Sequence, residues 1–265
     1  MKDHMTKSPV GNTLLPVSVS IISYNEEDNI GRCIEAIHDF VAEIVVVDSL
    51  STDRTVEIAR SLGATVYVEP WKGHIEQKNS ALAKCSQPWV LSLDCDEVVS
   101  KELRQSIADA VAGADNDGFW INRRTHFMGE WINHAWYPDW NLRLVKREKA
   151  VWKGVNPHDR LTVAGSQGRL QGDLYHYSFR DSLDMFTRTV KYAAISAESY
   201  QRQGGRIPFR KIVLNPLHAF FRHYVVKRGF LDGRRGFILS VSNFISTFMK
   251  YVILYENGIR SKREK

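Results

Sequence analysis

The sequence predicts an α/β fold built on a doubly wound, mostly parallel sheet flanked by helices. Three observations carry that prediction. Short β-branched runs such as Ile44-Val-Val-Val47 lack polar alternation and read as strands buried on both faces. They alternate with segments of helical period, so the hydrophobic repeat switches between two and 3.6 residues four times before residue 113. The acidic tripeptide Asp94-Cys95-Asp96 closes the apolar run Pro88-Trp-Val-Leu-Ser-Leu93, at a strand exit, where open α/β sheets bind ligands.

The elements follow in order. Val17-Ser-Val-Ser-Ile-Ile22 is the first strand, and Tyr24-Asn-Glu-Glu-Asp28 supplies Asn25 and acidic residues suited to cap a helix over 30–41. Residues 44–47 form the second strand, ending in the polar turn Asp48-Ser-Leu-Ser-Thr-Asp53, which opens a helix over 54–62. A third strand covers 65–68, a third helix 74–84, a fourth strand 89–93 and a fourth helix 100–112.

At the end of the fourth strand the spacing is itself chemical. In Asp-x-Asp both side chains leave an extended backbone on the same side, so both reach one hard cation, or one holds the cation and the other a sugar hydroxyl. Oxygen-only ligation suits Mg²⁺ or Mn²⁺. A solvated turn or a helix cap is the competing reading of the same residues.

Four motifs in sequence settle the weighting. Val17-Ser-Val-Ser-Ile-Ile-Ser-Tyr-Asn-Glu-Glu27, Ile44-Val-Val-Val-Asp-Ser-Leu-Ser-Thr-Asp-Arg-Thr55, Gln77-Lys-Asn79 and Leu91-Ser-Leu-Asp-Cys-Asp-Glu-Val98 resemble, in order and spacing, the nucleotide-sugar half of the family 2 glycosyltransferases, which have the GT-A fold. Tyr137-Pro-Asp-Trp-Asn-Leu-Arg-Leu144, Trp152-Lys-Gly-Val-Asn-Pro-His-Asp-Arg160 and Leu174-Tyr-His-Tyr-Ser-Phe-Arg-Asp181 resemble the branch that includes the lipopolysaccharide inner-core β-1,4-glucosyltransferases. The resemblance covers residues 16–255. Leu50 stands where that family usually has a small residue, often Gly, and Cys95 where Ala is common.

The resemblance implies roles. Asp96 is the primary metal ligand, and Asp94 faces the ribose or the metal. Asn25, Glu26 and Asp48 lie beside the base and ribose of a nucleotide-sugar donor, and Lys78 contacts phosphate or base. Asp139, in an Asp-x-x-Leu-Arg stretch, is the base that takes the acceptor's proton, although Pro138 replaces the acidic residue usual before it. Arg143 either pairs with Asp139 or holds base or phosphate, since guanidinium suits bidentate oxyanion binding. His158, placed ahead of His176, is the further metal ligand. The segment 119–140, with Trp120, Trp131, Trp136 and Trp140, reads as an acceptor-stacking wall or as core.

Composition divides the chain. A length of 265 residues with 43% apolar content suffices for a full core. Cys33, Cys85 and Cys95 have neither metal nor disulfide spacing, which suggests a reducing compartment, and the first 15 residues lack the apolar centre of a signal peptide. After residue 200 fall 14 of the 36 Lys and Arg but only 3 of the 30 Asp and Glu, leaving that segment at +11 and the first 200 residues at −5.

The expected organisation is a flexible terminus over 1–15, a catalytic domain over 16–200 and a basic amphipathic helical region over 201–265. Residues 216–226 and 236–255 are apolar and aromatic between basic residues; the second stretch has the length of a bilayer span but contains Ser240, Ser242, Asn243, Ser246, Thr247 and Lys250, so it reads as an interfacial helix, the competing reading being helices packed on the catalytic domain with a solvated basic rim. No nucleic-acid module accompanies the basic residues.

The expected function is inverting transfer of a hexose, glucose from UDP-glucose, to a lipid-linked acceptor, the heptose of the lipopolysaccharide inner core. The expected place is the inner face of the cytoplasmic membrane. The alternatives are a polyprenyl-phosphate sugar transferase and a non-catalytic nucleotide-sugar-binding module docked on the membrane.

Overall fold

β1 (Leu15–Ser23) is the centre of the parallel half of the sheet, hydrogen-bonded on one side to β2 (Val41–Asp48) and on the other to β4 (Trp89–Asp94), with β3 (Thr65–Val68) beyond β2. This is a computed structural model, and it describes residues 14–113, 115–155, 158–202 and 207–263. Two-sided burial is visible residue by residue. Val46 and Leu91 face a cluster with Ile30, Ile34, Leu103 and Ile107, while their neighbours Val45 and Val90 face a second cluster with Leu82, Val145 and Trp152. Continuous β-branched runs are what such strands require.

Helices α1 (Ile30–Glu35), α2 (Thr55–Ser61) and α3 (His74–Lys84) follow β1, β2 and β3 in turn, and α4 (Lys101–Gly113) comes after β4 with one short strand between them. The helix expected over 30–41 ends at Glu35. Beyond it the chain tightens into turns, with Ile37 donating to the Ile34 carbonyl and Phe40 to that of Ile37. Val41 then pairs with Leu15, so its apolar character belongs to β2.

The second half of the sheet is mixed, in the order β3-β2-β1-β4-β8-β6-β11-β5. β8 (Asp139–Lys146) runs antiparallel to β4 and to β6 (Gly118–Phe127), and β11 (Gln167–His176) runs parallel to β6. The short β5 (Glu97–Val99), absent from the sequence reading, pairs antiparallel with the end of β11 and sets Glu97 opposite His176. β7 (Glu130–Trp131) pairs with β6, and β9 (Ala150–Val155) and β10 (His158–Val163) form a separate hairpin. The fold is therefore α/β, with helices on a mixed sheet and a helical C-terminal part.

That helical part comprises α5 (Ser182–Arg202), α6 (Arg210–Phe221) and α7 (Gly233–Arg263), with α5 and α6 both packed on α7. The division expected at residue 200 falls inside α5, so the helical layer begins at Ser182. Met185 and Leu239 join Phe127, Ile132 and Ala135 in a third core cluster.

The turn before α7 is tied to the sheet by one carboxylate. Asp232 accepts the backbone N–H groups of Asn133 (3.0 Å), His134 (3.0 Å) and Ala135 (2.8 Å), and His134 Nδ1 lies 3.0 Å away. Gly229 makes the approach possible, because a Cβ there would lie 2.5 Å from the His223 carbonyl and 3.2 Å from Ala135 Cβ.

Candidate active site

The loops after β1 and β2 are laced together by short polar bonds. Asn25, in the left-handed region at φ 52°, accepts the Thr52 N–H at Oδ1 (2.9 Å) and donates its own N–H to Ser51 Oγ (2.8 Å). The Glu26 N–H reaches Thr55 Oγ1 at 2.7 Å, and that of Glu27 reaches Asp53 Oδ2 at 3.1 Å. Asn25 thus secures the neighbouring loop; α1 starts at Asn29, which makes no side-chain cap. Leu50 also has a positive φ, 65°, the conformation for which Gly is the usual choice, and its side chain is exposed. Asp48 is fully buried beneath this loop, accepting from Ser23 Oγ (2.9 Å), the Ser51 N–H (2.8 Å) and Ser51 Oγ. The Glu26 carboxyl is pushed up by burial, with Asp96 adding to the rise and a bond from Asn29 opposing it.

Behind these loops lies a buried ionic cluster. The Arg143 guanidinium on β8 bonds through Nη2 to Asp94 Oδ2 (2.8 Å) and Glu97 Oε1 (2.6 Å), while Glu97 Oε2 accepts the Asp94 N–H (2.9 Å). Arg143 Nε and Nη1 are buried donors without a partner among the described residues. Arg123 on β6 joins Glu97 (3.5 Å) to Asp139, whose Oδ2 receives both Nε and Nη2 at 2.9 Å. Asp139 stands at the start of β8, its N–H held by Asn122 Oδ1 (2.8 Å) and its side chain 40% exposed. Lys78 on α3 lies over the Trp152 ring and is shared between Asp159 (2.9 Å) and Asp94 (3.5 Å).

Burial raises Asp94, Asp96 and Glu97 alike, and its balance against their partners differs. Burial raises Asp94, but Lys78 and Arg143 outweigh it and hold the group well below the usual aspartate range. Asp96 is likewise raised by burial and brought down further by His176. Glu97 is fully enclosed, and there burial prevails over Arg143 and Arg123, so its carboxyl is raised. Burial opposes the charge on Arg143, yet Glu97 and Asp94 raise it overall.

The strand β5 explains a meeting that the linear sequence hides. Asp96 Oδ2 lies 3.3 Å from His176 Nε2, and the His176 ring is held at Nδ1 by Ser178 Oγ at 2.6 Å. The side chain of His158, placed first on sequence grounds, lies outside the described residues. Among the described residues no three His, Cys, Asp or Glu side chains gather as a metal site. A carboxylate and an imidazole do gather, a donor pair suited to Mn²⁺. Carboxylates Asp94, Asp96, Glu97, Asp139 and Asp159 also outnumber Lys78, Arg123 and Arg143, the permanent cations that pair with four of them, while Asp96 lies against His176. The residues present therefore fit a divalent cation.

Sequence reasoning missed Glu97 and Arg123. Glu97 follows Asp96 directly, so its place in the acidic run Asp94-Cys-Asp-Glu97 was the available signal, whereas its burial appears only in the fold. The four tryptophans do not form one wall. Trp131 stacks on Tyr175 (4.5 Å), Trp136 packs on Phe179, Trp140 lies under Arg169, and Trp120 Nε1 donates to Gln167.

Residues 18–165 match the family described as Glycosyl transferase family 2. The chain is 31% identical over 255 residues to the lipopolysaccharide core biosynthesis glycosyltransferase LpsC of Rhizobium meliloti (strain 1021), covering 91% of this chain and 93% of that protein. It is 30% identical over 259 residues to an uncharacterized glycosyltransferase of Rickettsia felis, covering 93% and 92%. Among solved structures, a mannosyltransferase, PcManGT from Pyrobaculum calidifontis, in complex with GDP-Man and Mn²⁺, superposes with a TM-score of 0.52 at 17% identity, covering 95% of this chain and 90% of that one, a likeness of fold.

Proposed function

The chain belongs to glycosyltransferase family 2, and from that premise we propose that it transfers glucose from UDP-glucose, with inversion, to the heptose of a lipid-linked lipopolysaccharide inner core at the inner face of the cytoplasmic membrane. One observation carries the reading. The acidic exit of β4 and Asp139 belong to a single hydrogen-bonded cluster, joined through Glu97, Arg123 and Arg143, so a donor-binding group and a base are held in fixed relation. A binding module has no need of the base.

Asn25 and Glu26 flank the nucleotide, on the loop that Asp48 anchors from below, and Lys78 and Arg143 counter the charge of the phosphates. A divalent cation, Mg²⁺ or Mn²⁺, held by Asp96 with His176 and with Asp94 beside it, would supply Lewis-acid neutralisation of the departing diphosphate. Asp139 removes the acceptor hydroxyl's proton on the face opposite the leaving group. Both Arg123 bonds go to Oδ2, which orients the carboxylate and directs Oδ1 to the acceptor. The name of the Rhizobium relative supports the core acceptor.

The test is transfer from UDP-glucose to a heptose-terminated acceptor with Mn²⁺ or Mg²⁺. Asp139→Asn should lower kcat by about 10² or more while donor affinity stays within a few-fold. Asp96→Ala should abolish transfer and weaken UDP binding. Full activity in EDTA would remove the metal from the account. Equal turnover of polyprenyl phosphate by wild type and Asp139→Asn would replace the heptose reading with a phosphate acceptor.

A further inference from the structure

A surface helix normally buries one apolar stripe and turns polar residues outward. α6 departs from that pattern. Ile212 and Pro216 are buried, one turn apart, on the side that meets α7. Much of the outward side is apolar: Val213, Leu214, Leu217 and Phe221 are 47–58% exposed beside the polar Arg210, Lys211 and His218, and the apolar Val226 and Leu231 are exposed in the turn before α7. A contiguous aliphatic face of this kind on a folded protein marks an interaction surface.

Its charge identifies the partner. Arg210, Lys211, Arg222, Lys227 and Arg228 flank the face, and none makes an ion pair among the described residues. Between residues 207 and 255 the only acidic residue is Asp232, and its carboxylate is occupied by the backbone N–H groups of Asn133, His134 and Ala135. The surface is therefore aliphatic and wholly basic. A second copy of the chain would bring like charges together, and nucleic acid offers nothing to aliphatic side chains. An anionic bilayer answers both properties, with headgroup charge for the basic rim and an acyl boundary for the stripe.

The sequence points to residues 216–226 and 236–255 together, with Arg222, Lys227, Arg228, Arg234 and Arg235 among them. Within α7, Leu239, Ser240, Ser242 and Leu254 are buried while Phe237, Phe248 and Tyr255 are exposed, and the stretch 229–260 is long and apolar enough to cross a membrane by length and composition. Arg235 is also engaged, donating to the Met128 carbonyl at 3.0 Å.

We propose that the outward face of α6 and the turn that follows it is the membrane-docking surface of this protein, seating its aliphatic stripe at the headgroup boundary of a bilayer containing anionic lipid. This deepens the reading of a lipid-borne acceptor, and because binding is measured without turnover the two can fail separately.

The experiment is co-sedimentation with vesicles of phosphatidylethanolamine and phosphatidylglycerol, with phosphatidylcholine vesicles as the uncharged arm. Wild type should bind the first and bind the second weakly, losing affinity as salt rises. Replacing Arg210, Lys211, Arg222, Lys227 and Arg228 by Gln should lower the partition more than about a hundredfold, from the contribution of each basic residue near an anionic surface. Leu214→Ser with Leu217→Ser should release the protein while leaving hydrolysis of soluble UDP-glucose unchanged.

Cys33, Cys85 and Cys95 are all buried, so Leu217→Cys takes an environment-sensitive label at one site, and its emission should shift to the blue on anionic vesicles, unlike that of Asp109→Cys on α4. Undiminished binding by both variants, or no shift at Leu217→Cys, overturns the proposal. So does a wild-type dimer that Leu214→Ser with Leu217→Ser dissolves, which would make the face a contact between copies.

Discussion

The loops after β1 and β2 and the cluster around Glu97 are both polar, and they hold their polar groups in opposite ways. In the loops, the exposed Asn25 and the half-buried Asp53 each accept a backbone N–H group of the other loop, within reach of water. Such bonds contribute about 0.5–1.5 kcal/mol apiece and exchange readily with solvent. Around Glu97, charges sit out of water, Glu97 fully buried and Arg143 nearly so, and each is tolerable only because the other is present. One region can reshape around a ligand. The other must keep its geometry, as the proposed relation between Asp139 and the exit of β4 requires.

Breaking the buried region should cost most. Glu97→Ala leaves the enclosed Arg143 with Asp94 as its remaining carboxylate partner, and removal of one partner of a buried pair costs about 3–5 kcal/mol, measurable by urea unfolding. A loss under about 1 kcal/mol would mean that Asp94 and Asp139 suffice to compensate both arginines.

Acid should divide the two carboxylates joined by Arg143. Asp94 is held well below its ordinary value, so its contribution to stability is complete above about pH 4 and disappears as pH falls through the folded value. The stability gap between wild type and Asp94→Asn should therefore narrow on acidification. Glu97 is raised, so its ionisation opposes folding as pH climbs past about 4.3. A gap that widened in acid would reverse the direction assigned to Asp94.

The loops should respond least. Asn25→Ala loses the bond to Thr52 and meets a positive φ, costing about 1 kcal/mol. Asn25→Gly should recover the backbone part. Leu50→Gly relieves the same conformation in an exposed residue and should stabilise by a few tenths to about 1 kcal/mol, read as a small rise in Tm. A loss there would show that the Leu50 side chain has a packing role.

Legibility in the sequence follows the same division. Strands β1 to β4 are declared locally by β-branched runs, and the helix over 74–84 appears with its bounds unchanged. The odd residue Leu50 announced its left-handed backbone by standing where Gly is usual. The cluster was legible only in part: Asp139 and Arg143 share one stretch, but Glu97 and Arg123 come from β5 and β6, and they meet β8 only because the sheet sets β8 between β4 and β6. Similarly, β5 is too short to show a period, yet it carries Asp96 to His176. The end of the first helix was misjudged because Ile37, Phe40 and Val41 suit a helix face and a strand edge equally.

Asp232 gives the molecule a fixed stature. Three backbone N–H groups leading toward Asp139 close on a carboxylate that belongs to the turn after α6, and the third core cluster locks the same pieces from below. If the chain rests on α6 as proposed, Asp139 stands at one altitude above the support, and the length of the acceptor stem becomes a selected quantity, gauged by the protein like a depth stop on a drill.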